Sequence, residues 1–115
     1  MPEPSPAVRK ALLEATLHAQ TVIERIEVAR VELAPAQPAG LHLHPCPVVG
    51  WVLAGVIQFQ VADDPVVTLR AGVAFFEPAN VRISHFDNSS ETEAAVFIAC
   101  YLLPPGEERL IEMLG

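Results

Sequence analysis

The residues with the clearest chemical potential are His42 and His44, separated by Leu43 alone. Residues two apart on a β-strand point to the same face. A strand through Leu41–His44 therefore aims both imidazoles at one point, the arrangement a transition-metal ion needs. His85 is the third candidate ligand, far along the chain, whereas His18 precedes the other candidates and reads as a surface residue. Cys46 follows His44 by two positions and offers a soft thiolate, but Pro45 and Pro47 on either side leave its direction open. Glu77, beside Pro78, has two readings: an acid or base near the histidines, or a solvated turn carboxylate.

Short strands must position these groups. Dense β-branched residues from Ile26 to Leu33 predict a strand, and Pro35, Ala36, Pro38 and Gly40 then force a connection. Strands follow at Leu41–His44, Val48–Leu53, Val56–Val61, Val66–Leu69, Val73–Phe76, Val81–Phe86 and Ala94–Leu103, with turn residues between them. Ala94–Leu103 is nearly all apolar and belongs in a covered, central position. Gln58 and Gln60 share one face of their strand, and we read that face as the outside. Pro2–Pro6 predicts an extended leader, Ala7–His18 fits either a helix or a strand near Lys10–Thr16, and Glu107–Leu114 predicts a short terminal helix with glutamates at its N-terminal end. Short strands at this spacing predict an all-β sandwich or barrel.

Composition narrows the partners. Acidic side chains outnumber basic ones 14 to 7, a net charge of -7 that phosphate backbones and anionic lipid surfaces repel, so neither nucleic acid nor membrane is expected. No apolar leader is visible at the start and no apolar run is long enough to span a bilayer, so the expected location is cytoplasmic. Cys46 and Cys100 are expected as free thiols. No hydrolase signature and no phosphate-cradling glycine loop is present. We expect one domain over 1–115, with its core at about 26–103, an N-terminal extension over 1–25 and a C-terminal tail over 104–115.

Two stretches together resemble a known family. His42-Leu43-His44, three residues, Val48, six residues and Gly55 resemble the first cupin motif, and Gly72, five residues, Pro78, one residue and Asn80 resemble the start of the second. The similarity runs from about Ile26 to Leu103. It implies a double-stranded β-helix, or jelly-roll barrel, with the terminal helix as an addition. It also implies a metal site of three histidines and one glutamate, but this chain departs from that set. His42 and His44 match, Val48 stands at the glutamate position, and Ile83 stands at the third histidine position. Ala36 and Asn80 replace the leading glycine of the first motif and a glycine of the second. His85, two beyond Ile83, shares that position's face on a regular strand but is displaced by roughly 6.6 Å. A bulge would be needed to bring it level with the pair. The degenerate ligand set is thus His42, His44 and His85, for a divalent transition metal such as Zn, Ni, Fe or Mn.

Two functions follow from the resemblance. One is a metal-dependent dioxygenase or isomerase acting on a small molecule. The other is a non-catalytic or sensory module that binds a small molecule without metal in a pocket made more apolar by Val48 and Ile83. Hydrophobic residues make up 51% of the chain, enough to leave a sheet face uncovered, so a homodimer is expected, with Ala7–Leu33 as the segment that packs or exchanges across it.

Overall fold

The computed structural model describes residues 6–115, so residues 2–5 of the expected leader lie outside the described residues. Nine strands and no helix form among them: β1 (Arg25–Leu33), β2 (His42–Leu43), β3 (Val48–Ala54), β4 (Val56–Val61), β5 (Val67–Arg70), β6 (Ala74–Glu77), β7 (Ile83–Asn88), β8 (Ala95–Leu103) and β9 (Glu112–Met113). They build two antiparallel sheets, a four-stranded one in the order β1-β8-β3-β6 and a five-stranded one in the order β5-β4-β7-β2-β9. The expected all-β jelly roll is the observed architecture.

Strict alternation packs the two sheets. The inward residues of β8 are Ala95, Phe97, Ala99, Tyr101 and Leu103, all buried, which explains why this nearly apolar strand lies inside its sheet between β1 and β3. Phe59, Phe75, Phe86 and Phe97 meet between the sheets as tilted and edge-to-face pairs, with centroids 4.7–6.0 Å apart. Such burial contributes about 1.5–3 kcal/mol per ring. Gly50 is required where it stands, because a Cβ there would collide with the Ile98 carbonyl and the Phe75 ring. Gln58 accepts from Thr68 Oγ1, and Gln60 donates to the Asp64 carbonyl, while Ile57 and Phe59 fill the core from the opposite face of β4.

Two turns that bracket the site keep left-handed backbone without glycine. Ala36 has φ 59° and Asn80 has φ 60°, at the two positions where the motifs would carry glycine. The backbone shape of both motifs thus survives, at a conformational cost that is larger for alanine than for asparagine. Asn88, buried at the end of β7, closes another turn: its Nδ2 donates to the carbonyls of Leu33, Ala34 and Glu93, and its Oδ1 accepts from the Ser90 amide.

The terminal helix expected over Glu107–Leu114 does not form. Instead β9 pairs with β2, through His42 with Met113 and Leu43 with Glu112, and the Leu114 amide donates to the Leu41 carbonyl. The short β2 would otherwise leave its outer edge unpaired, and satisfying that edge outweighs a weak local helix preference. The segment over Ala7–His18 is neither helix nor strand, and it runs as an extended arm into β1.

Candidate metal centre

The centre lies in the barrel where β2, β3, β6 and β8 meet. His42 and His44 are both buried, with ring centroids 4.9 Å apart at nearly a right angle. Their ring hydrogens are assigned by backbone acceptors. His42 Nδ1 lies 2.6 Å from the Gly40 carbonyl and His44 Nδ1 lies 2.7 Å from the Leu110 carbonyl. A carbonyl only accepts, so each Nδ1 carries the proton and each neutral ring turns the lone pair of Nε2 inward. Backbone orientation of this kind is the usual support of a metal-binding histidine.

The third group is Glu77, only 3% exposed. Its Oε2 stands 2.7 Å from His44 Nε2, yet it is the one buried side-chain oxygen without a hydrogen-bond donor among the described residues. The two facts agree once the tautomer is assigned: neutral His44 presents a lone pair to the carboxylate and has no proton to give. His42, His44 and Glu77 thus each offer a ligand atom, all within 4.8 Å of one another. Three buried acceptors face each other with no donor between them. A cation resolves that conflict, either a proton on His44 or a metal ion.

Register explains how Glu77 arrives. Val48, at the position where the first motif would carry glutamate, pairs directly with Glu77 on β6. Directly paired residues share a sheet face. The carboxylate lost from β3 is therefore returned to the cavity from the strand beside it. Ile83 pairs directly with His42 and is fully buried, so an aliphatic side chain fills the position of the third motif histidine.

The structure does not bring His85 to this cluster. Between β4 and β7, Gln60 pairs with His85 but Val61 pairs with Ile83, which places an extra residue, Ser84, in β7. A one-residue bulge reverses the side-chain faces beyond it. Ile83 and Phe86 point in, while His85 points out, with its side chain 54% exposed and its Nδ1 2.8 Å from Asp87 Oδ2. The bulge that would have levelled His85 with the pair instead turns it away. Cys46 is wholly buried with its thiol pushed up to about 11, first by burial and then by the charge of Glu107, and it stands outside the three-ligand group.

Electrostatics couple the members. Burial is the largest influence on His44 and disfavours its charged form. Once Nε2 is protonated, Glu77 accepts from it and offsets its charge, and together with the Leu110 carbonyl this outweighs burial, so the His44 pKa is raised. The Tyr101 ring, 5.6 Å from that of His44, has its hydroxyl pKa pushed up to about 12, by burial first and then by Glu77. His42, His44, Glu77, Tyr101, Phe86 and Phe97 help line a cavity of about 100 Å³.

Comparison with known proteins agrees with this fold. The family model described as "Cupin domain" matches residues 29–101, more than half of the chain. No curated protein matches the sequence. Among solved structures, the chain is similar to oxalate oxidase in complex with the substrate analogue glycolate, at 21% identity and a TM-score of 0.65 over 77% of this chain and 46% of that one. A cupin-like protein from Thermotoga maritima matches at 26% identity and a TM-score of 0.62, over 78% of this chain and 65% of that one. A DMSP lyase from Ruegeria pomeroyi matches at 17% identity and a TM-score of 0.64, over 76% of this chain and 42% of that one. The matched part thus spans less than half of the oxalate oxidase chain, and likeness at this level of identity concerns the fold.

Proposed function

This chain belongs to the cupin family, and from that premise we propose that it binds a divalent transition metal through His42, His44 and Glu77 and presents it to a small molecule inside the barrel. The observation that carries the proposal is the donor-free convergence of two Nε2 lone pairs and one buried carboxylate oxygen. Two imidazoles and a carboxylate are a ligand set suited to iron, and equally to zinc, nickel or manganese, with coordination positions left open for a reactant.

Such an ion would supply Lewis acidity and, if redox-active, oxygen chemistry. The chain's own groups do the rest. Gly40 and Leu110 hold the two rings in the tautomer that exposes Nε2. Glu77 offsets positive charge where few other polar groups reach. Phe86, Phe97 and Val48 keep the surroundings apolar and exclude bulk water. The Tyr101 hydroxyl stays protonated at neutral pH, and Tyr101 lines the same cavity. A cavity of about 100 Å³ favours a small reactant.

The apolar lining also favours a second reading, a binding module that takes a small neutral molecule without metal. One titration separates the two. Metal added to chelator-treated protein is followed by calorimetry for the wild type and for Glu77→Gln, which keeps the shape and removes the charge. The first reading expects saturable binding that weakens at least about 100-fold in the variant, since losing a charged ligand costs several kcal/mol. No saturable binding in either protein selects the second, and equal affinity in the two removes Glu77 from the ligand set.

A further inference from the structure

The walls of the cavity beside the ligand trio carry no cation. All seven arginine and lysine side chains of the chain lie among the described residues, all are exposed, and none lines the cavity. Outside His42, His44 and Glu77, Tyr101 is the only lining residue with a polar side chain. Leu33, Phe86, Phe97 and Ile111 are the largest of the apolar remainder. With both rings neutral, Glu77 is the single charge among the lining residues, and the chain as a whole is acidic, at -7.

Charge balance sets what such walls accept. A divalent ion held by two neutral rings and one carboxylate leaves one positive charge uncompensated. A single anionic head cancels it. A second would have no cation to meet and would be stripped of water against hydrocarbon, which is unfavourable for an unpaired charge. Without metal, the Glu77 carboxylate repels any anion. The register adds a donor to this picture. Glu77 on β6 and Tyr101 on β8 are each paired directly with Val48, which lies between them on β3, so the three share one inward face. The rings of Tyr101 and His44 are 5.6 Å apart. A phenol donates a hydrogen bond without carrying charge, so it can hold an anionic oxygen and leave the charge count unaltered.

We infer that the cavity takes a small monoanion: one oxyanion head set between the metal position and the Tyr101 hydroxyl, and a hydrocarbon body against Leu33, Phe86 and Phe97. The inference rests on the metal-binding reading and names the ligand class of that same site. It makes the cavity selective in two directions. A dicarboxylate is rejected because its second charge stays unpaired, and a neutral molecule forgoes the charge that the ion leaves over. Tyr101 is the positioning residue for the head, and the missing arginine or lysine is what sets the limit of one charge.

Calorimetry on the full chain at about pH 8, well above ordinary carboxylate pKa values, tests this. Chelator-treated protein is first titrated with Zn, and protein that takes up no Zn loses the metal-binding reading and this inference with it. Zn-loaded protein is then titrated with propionate and with malonate, which carries a second carboxylate in place of the methyl group. Propionate should bind at least about tenfold tighter than malonate, because the second carboxylate has no partner. A free divalent ion prefers the chelating dicarboxylate, so that order would come from the cavity walls. Metal-free protein should bind neither. Tyr101→Phe should keep the Zn affinity and weaken propionate at least about tenfold, the effect of losing one hydrogen bond to a charged group. Zn-loaded protein that fails to bind propionate, or that binds malonate as tightly, overturns the inference. So does propionate binding to metal-free protein, or unchanged propionate affinity in Tyr101→Phe. In each of these cases the Zn titration still stands for the metal site.

Discussion

The chemistry of this chain turns on where three protons are not. Two backbone carbonyls take the ring hydrogens of His42 and His44, and the lone pairs left over face a buried carboxylate. Without a metal, the conflict is relieved by protonating His44, whose pKa is therefore raised. A histidine raised above its unfolded value stabilises the fold fully below the unfolded pKa, near 6.5, and that contribution disappears as the pH rises through the folded pKa. Metal-free protein should thus lose thermal stability as the pH is raised from below 6.5 into the alkaline range. Glu77→Gln should flatten that dependence, as thermal denaturation across a pH series would show. Bound metal competes for the same lone pair, so its affinity should rise over the same window. The histidine pair was legible from spacing alone. Glu77 was not, because its place beside Val48 depends on pairing between residues far apart in sequence; the signal available was a carboxylate just before Pro78 in a chain whose motif carboxylate is missing. His85 misled because a single inserted residue, Ser84, reverses a face that regular alternation would keep.

At the scale of elements, the strands themselves were the most legible part. Alternation placed β4 at Val56–Val61 without error, and apolar content put β8 inside its sheet. The tail was misread, since local helix preference counts for less than an unpaired strand edge, and no local pattern reveals that β2 has one. The tail matters to the site because Leu110 orients His44 and β9 pins His42. Removing residues 110–115 should therefore weaken metal binding about 10- to 100-fold, the usual effect of losing such support, while the sandwich remains folded. Calorimetric titration of the shortened chain, with circular dichroism as the folding check, would show it. Unchanged affinity would mean that the ring of His44 holds its orientation without the Leu110 carbonyl. The motif turns carry a related lesson: Ala36 and Asn80 keep the glycine-like backbone even though the glycines are gone, so the fold outlasts the residues that usually signal it.

At the scale of the molecule, the jelly roll encloses a small cavity and leaves one sheet face and one arm exposed. The cavity accounts for the histidines, and the face accounts for much of the high apolar content that the barrel interior does not use. The resemblance of two half-motifs carried the fold because their separation sets the barrel, whereas the ligand set depended on register and a bulge. The most direct test of the account is the metal content of protein purified without added metal or chelator, measured for the wild type, His42→Ala, Glu77→Gln and His85→Ala. Stoichiometric metal is expected in the wild type and in His85→Ala, and its loss in the other two. Metal absent from the wild type, or lost from His85→Ala while Glu77→Gln keeps it, would contradict it.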